Sequence, residues 1–264
     1  MTGLEVTPET AGWTYCGLRV IDLAPGASFE LTTGQHETLV LPLSGGCTVG
    51  ELVLTGRPNV FAGPTDFAYV PIESTVTITS RHGGRFALPS ARAEHRLPDR
   101  YGPSDDVPVE LRGAGRASRQ VNNFCTPDTF DADKLIAVEV LTPAGNWSSY
   151  PPHKHDEHTE HERPLEEIYY FEIDRNGIGY QRVYGPEIDI LKEVRTGDVV
   201  LIPHGYHGPS MAPPGYHMYY LNVMAGPDPD RAWLFSDDPV HTWIRDTWAD
   251  EPIDPRLPFG GTAT

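Results

Sequence analysis

Apolar residues recur along this chain with a period of two, in short runs closed by glycine, proline or a charged residue. The second half holds LIAVEVLT (135–142), EIYYFEI (167–173), YQRVYG (180–185), DVVLIP (198–203) and YHMYYLNVM (216–224), all rich in Val, Ile, Tyr or Phe. Such side chains at that spacing suit half-buried strands, and few stretches carry the three-and-four spacing of an amphipathic helix. In the first half FAYVP (67–71) and STVTITS (74–80) read as strands, and ETLVLPLSGGCTVGELVL (37–54) as a hairpin-like pair around Gly45 and Gly46. The halves look like versions of one plan: FAGPTDFAYVP (61–71) and VRTGDVVLIPHG (194–205) share a turn, an Asp, a short apolar run and a Pro.

Between them runs RLPDRYGPSDDVPVELRGAGRAS (96–118), polar and rich in Pro and Gly, which reads as a separator. The expectation is an all-β chain of two barrel-like domains, residues 1–110 and 111–264, with the aromatic stretch AWLFSDDPVHTWIRDTW (232–248) packing back on the second barrel. The 26 Gly and 26 Pro among 264 residues agree with many turns. Charge constrains the partners more: a formal −17 argues against nucleic acid or an anionic membrane, and an anionic ligand would need a specific cation or Arg to hold it. Cys16, Cys47 and Cys125 are odd in number and widely spaced, which suits a reducing compartment. The N-terminus MTGLEVTPET lacks a basic flank followed by an apolar block, so a cytoplasmic protein is expected.

Histidine is unevenly placed, with eight of eleven between His153 and His241. In PPHKHDEHTEHERPLEEIYYF (151–171), His153 and His155 are two apart, so on a strand both imidazoles point to one face and can hold one ion. Glu167 is in phase with Tyr169 and Phe171, whereas Glu166 is its rival on the opposite face. His207, in GDVVLIPHGYHG, is a fourth candidate ligand, with His204 its rival in the same turn. Imidazoles plus a carboxylate suit a divalent transition metal. His158 and His161 read as solvated loop residues. In the first half His36 and Glu37 lack an HxH and a matching late His, so that half reads as structural.

The pattern HKH, then EEIYYF, then GDVVLIPHGYH resembles the two metal-binding motifs of the cupin barrels. NWSSYPPHKHD, LEEIYYF, QRVYG, YYLNVMAGP and DDPVHTWI resemble, more closely, the 5-deoxy-glucuronate isomerase family of myo-inositol catabolism, over about residues 140 to 250. The resemblance implies a bicupin of two jelly-roll-like barrels in which only the second keeps a metal, on His153, His155, Glu167 and His207. The chain departs from the general motif in the insert DEHTEHERPL (156–165), which must loop out, and in a turn before His207 that is one residue short. His217 stands where Asp or Asn is expected in relatives.

The family activity implied is an aldose–ketose isomerisation between 5-deoxy-D-glucuronate and 5-dehydro-2-deoxy-D-gluconate. Zinc is the ion expected first, with manganese, iron or nickel also suited to these donors. The small uronic acid would be met by Arg182, with Gln181, Tyr169 and Tyr184 as further substrate-binding candidates, because Arg grips a carboxylate bidentately. Glu167 and Tyr219 are the catalytic candidates, and the base is left open among Glu167 and the Tyr hydroxyls. A cupin dioxygenase or a non-catalytic sugar-acid sensor would use similar residues, and self-association into a homo-oligomer is left open.

Overall fold

A computed structural model describes residues 3–261, and nearly all of their regular structure is antiparallel strand. Strands as far as Gly102 form a nine-stranded sheet whose main path is Leu4–Val6, Cys16–Leu23, Gly84–Arg92, His36–Val49, Phe67–Val70 and Arg100–Gly102. From Val109 onward there are two sheets of six. One runs Val109–Arg112, Arg119–Cys125, Ile136–Thr142, Met218–Ala225, Glu166–Ile173, Val199–Ile202; the other Asp189–Val194, Gly179–Tyr184, Tyr206–Met211, His153–Lys154, Ser236–Asp237, with Trp147–Ser148 on Tyr206–Met211. Among the described residues no strand of the first set pairs with one of the second. A boundary after residue 110 falls inside Val109–Arg112, which pairs with Arg119–Cys125.

Alternation along each central strand sorts side chains into three cores. Val40, Ala68, Ile78, Phe86 and Leu88 fill the first half. Val138, Tyr169, Phe171, Val183, Tyr220 and Met224 line the second. Residues of opposite phase, such as Leu39, Leu41, Phe67, Ile168, Tyr170, Leu221 and Val223, form a third core where the halves pack against each other. The arrangement is quasi-twofold, since His36–Val49 lies between Gly84–Arg92 and Phe67–Val70 as Glu166–Ile173 lies between Met218–Ala225 and Val199–Ile202.

Two carboxylates exploit that relation. Glu37 accepts hydrogen bonds from the backbone N–H groups of Asp133, Lys134 and Leu135 at 2.8, 2.6 and 2.6 Å. Glu166 accepts from those of Thr14, Tyr15 and Cys16 at 2.7, 2.7 and 2.9 Å. Each half thus supplies an acid that satisfies backbone donors at the start of a strand in the other.

Two local expectations are corrected. No turn occurs at Gly45–Gly46; His36–Val49 runs straight through with a register shift between Gly45 and Cys47, and the chain reverses at Gly50. Crowding explains the glycines, because a Cβ on Gly46 would lie 2.5 Å from the Thr55 carbonyl oxygen. The polar stretch 96–118 contains the edge strands Arg100–Gly102 and Val109–Arg112, whose charged side chains are tolerated because an edge faces water. The C-terminal segment packs back along the seam, with Gly115 N–H donating to Pro252 O at 2.8 Å and Phe259 N–H to Gln120 Oε1 at 2.6 Å.

Candidate metal centre

Strand register brings the donors together. His153 faces His207 across an antiparallel ladder, and Glu167 enters from the opposing sheet. The insert between them loops out and closes on itself: Leu165 N–H donates to His155 O at 2.9 Å, and buried Glu162 accepts from the N–H groups of Asp156 and Glu157. His158 and His161 stay on its exposed rim.

His155 Nδ1 lies 3.0 Å from Leu165 O and His207 Nδ1 3.3 Å from Gly205 O. A carbonyl can only accept, so both Nδ1 atoms carry the hydrogen, and in the neutral rings that bind a metal both Nε2 atoms present lone pairs. Those Nε2 atoms each stand 3.0 Å from Glu167 Oε2, and His207 Nε2 is 3.1 Å from His153 Nε2. Acceptors facing acceptors in a buried pocket repel one another unless a cation lies between them. Two donors about 2.1 Å from one ion and about 90° apart are about 3.0 Å from each other, so the spacing fits a shared divalent ion. His155, Glu167 and His207, all buried, form a group of metal-ligand spacing.

Without an ion, the carboxylate draws a proton to His155 Nε2 instead. Burial and the neighbouring His207 and His155 push His153 well below the ordinary imidazole range. Burial raises the Glu167 carboxyl, yet His207 and His155 overcome it and hold the group at about 2. Burial lowers His155, and Glu167 more than reverses this. The carboxylate is held from behind by Asn222 Nδ2, which donates to Glu167 Oε1 at 2.7 Å, while Asn222 Oδ1 is buried without a partner. Two stacked tyrosines form a wall beside the centre, Tyr169 and Tyr220 with ring centroids 4.7 Å apart, Tyr169 being 5.9 Å from His207. Their hydroxyls share Ser149 Oγ at 3.0 and 3.1 Å. Burial and Glu167 raise Tyr169 well above the usual phenol range, so it keeps its proton.

The other sequence candidates separate by strand face. Gln181 is buried on the inner face, with Ser210 Oγ donating to its Oε1. Arg182 and Tyr184 alternate with it and lie on the outer face, Arg182 paired with Asp189 and Tyr184 donating to Asp238, so the structure does not bring them to the cluster. Tyr219 points into the seam between the halves and donates to Glu139 at 2.7 Å, because the residues in phase with the centre are Tyr220 and Asn222. Glu166 serves the seam, and His217 packs 4.9 Å from the Phe259 ring with its Nδ1 accepting from Ala144 N–H. Sequence reasoning missed Asn222 and Tyr220; MYYLNVMA is buried on both faces, so no polar alternation marks which side meets the ion.

The fold and the cluster define a cupin-like β protein with a buried imidazole–carboxylate centre. Residues 2–244 match the KduI/IolB family, and the chain belongs to it. The chain is 42% identical over 254 residues to 5-deoxy-glucuronate isomerase of Geobacillus kaustophilus (strain HTA426), covering 92% of this chain and 91% of the relative. It is 40% identical over 250 residues to 5-deoxy-glucuronate isomerase of Bacillus subtilis (strain 168), covering 91% of each. With these relatives it is an isomerase. The crystal structure of an IolB-like protein from Salmonella typhimurium LT2 superposes with a TM-score of 0.85 at 36% identity, covering 91% of this chain and 94% of that one. A Bacillus subtilis oxalate decarboxylase with Mn(II) centres superposes with a TM-score of 0.62 at 14% identity over 89% of this chain and 74% of that one, a likeness of fold alone. No described helix is long and apolar enough to cross a membrane.

Proposed function

We propose that this chain interconverts 5-deoxy-D-glucuronate and 5-dehydro-2-deoxy-D-gluconate at a divalent ion held by His153, His155, Glu167 and His207. The observation that carries the reading is the convergence of His155 Nε2 and His207 Nε2 on Glu167 Oε2 at 3.0 Å inside the barrel, with His153 Nε2 3.1 Å from that of His207, in a chain of this family. Zinc is the ion we expect first, with manganese, iron or nickel accepted by the same donors. When bound, the ion would polarise the substrate carbonyl as a Lewis acid and stabilise enediolate charge.

The chain's own residues do the rest. Leu165 O and Gly205 O fix the His155 and His207 tautomers so that Nε2 faces inward, and Asn222 fixes the Glu167 oxygen that does not. Tyr169 and Tyr220 close one wall against bulk water and hold protons on oxygens that can hydrogen-bond a hydroxylated chain. Gln181, with its amide facing the same interior, is a further polar contact for substrate. Glu167 and the tyrosine hydroxyls are the groups able to move the proton between adjacent carbons. The three cysteines are unpaired and buried, in keeping with a cytoplasmic enzyme.

The test is isomerisation of 5-deoxy-D-glucuronate by the metal-loaded protein in deuterated water, followed by proton NMR. An enzyme base that meets water exchanges its proton, so label is expected at the hydroxymethyl carbon of the product. Loss of substrate coupled to oxygen uptake, without the ketose, would overturn the reading in favour of a dioxygenase.

A further inference from the structure

An acid substrate must enter a chain of formal charge −17, and its carboxylate needs a cation inside the second barrel. Arg119 opens the strand Arg119–Cys125 and shares its phase with Val121, a core residue of that barrel. It is 5% exposed. Its Nη1 donates to two backbone carbonyls, Ala117 O at 3.0 Å and Tyr150 O at 3.3 Å. Among the described residues no carboxylate pairs with it, and its Nε and Nη2 hydrogens meet no acceptor. Arg57, equally buried, has both ends of its guanidinium engaged by Glu139.

The neighbours do not neutralise Arg119. Arg112, opposite it across the ladder, is already matched by Glu110 with two hydrogen bonds of 2.7 Å, and Arg245 by Asp237. Arg119 and Arg245 both lie over the ring of Trp248, at 5.3 and 5.1 Å. Trp248 Nε1 is itself a buried donor without an acceptor. Burial and Arg112 pull the Arg119 pKa down to about 10, the signature of a charge kept out of water without a counterion. Tyr150, whose carbonyl Arg119 holds, lies between Ser149, which bonds the Tyr169 and Tyr220 hydroxyls, and the strand His153–Lys154, which places Arg119 on the cluster's side of the barrel.

Resting on the isomerase reading, we propose that Arg119, with Trp248 Nε1 beside it, seats the carboxylate of the open-chain sugar acid while the other end of the substrate reaches the His153–His207 cluster. A guanidinium fork matches a carboxylate bidentately, and an anion there satisfies donors that the protein leaves open. The role expected of Arg182 from the sequence passes to Arg119, since Arg182 faces outward and is committed to Asp189. The carboxylate keeps its charge through the reaction, so this contact contributes to capture of substrate and little to the chemical step.

Calorimetric titration of the metal-loaded protein with D-gluconate and D-glucitol tests it. Both are open six-carbon chains, and they differ only in a carboxylate against a hydroxymethyl group. Arg119→Met is expected to weaken gluconate by about 10- to 150-fold and leave glucitol unchanged, with Arg119→Lys recovering part of the loss. Trp248→Phe keeps the ring, removes the donor, and should weaken gluconate alone by a smaller factor. In turnover of 5-deoxy-D-glucuronate, Arg119→Met should raise KM with kcat changed far less. Equal loss of both ligands, unchanged gluconate binding in Arg119→Met, or no gluconate binding by the unaltered protein would each overturn the proposal. Gluconate binding that depends on Arg119 in a protein that isomerises nothing would sink the isomerase reading and leave the carboxylate seat standing.

Discussion

Asn222 governs how Glu167 meets an ion, because its amide ties down the outer carboxylate oxygen and leaves only Oε2 turned toward the imidazoles. Losing such a supporting hydrogen bond typically costs 10- to 100-fold in metal affinity, so Asn222→Ala should lower affinity by about that factor without abolishing binding. Removing His153, His155 or His207 takes away a direct bond, and each Ala variant should lose most of its metal. His158→Ala should retain it, since that ring sits on the exposed rim against Asp228. Elemental analysis of the purified variants checks the order, with about one ion per chain in the unaltered protein. A value near two would contradict it, because the strand position that matches Glu167 in the first half is Thr38, paired with Val70 and Ser90, and none of the three is an imidazole or a carboxylate. Glu37 in that half is consumed by three backbone donors and the Tyr69 hydroxyl.

The strand Glu166–Ile173 carries two acids with opposite duties one residue apart. Glu167→Ala should strip the metal and leave the apo fold standing, whereas Glu166→Ala should keep the ion and destabilise the chain. Three N–H groups lose their acceptor in the second case, and water reaches part of that site, so a loss of about 2–4 kcal/mol is expected in denaturant unfolding. Equal metal loss in both variants would mean that the strand's two faces are not separable. This strand was also the most legible element in the sequence, because its polar-then-aromatic alternation fixed which acid shares a face with Tyr169 and Phe171. His155 and His207 were legible from their local motifs, HKH and the turn that follows DVVLIP. What could not be read locally was everything set by distant pairing. Glu166 finds its donors about 150 positions away and Glu37 about 97, and no window of sequence contains both partners. Arg119 was hidden because 96–118 read as a polar separator, while its burial comes from the Tyr150 and Trp248 segments that fold over it later in the chain. Arg182 misled because a lone cation beside a Gln gives no sign of which face turns inward.

At the scale of the whole molecule, the seam decides whether the halves act as one. A buried bridge crosses it, Arg57 to Glu139, with Glu139 also accepting from Tyr219 and from Asn122 at 2.7 and 3.1 Å, so all its partners are satisfied. Arg57→Ala leaves a buried carboxylate short of its counterion and should cost about 3–5 kcal/mol, with metal content unchanged because the seam lies on the far face of the Met218–Ala225 strand. The same shared core carries metal binding into global stability. An ion at about 100 times its Kd stabilises the folded state by about 2.7 kcal/mol, which for a chain of this size corresponds to roughly 5–10 °C in Tm. Were the halves independent, chelation would move only the second barrel, and calorimetry would resolve two transitions of which one shifts. The seam is built from buried residues of both halves and clamped by acids from each side, so a single transition that moves as a whole on chelation is expected. In Arg57→Ala that coupling is weakened at its centre, and the scan should broaden or split, with the lower component insensitive to chelator. A split scan in the unaltered protein would show instead that the two barrels fold as separate units and that the seam is a contact rather than a common core.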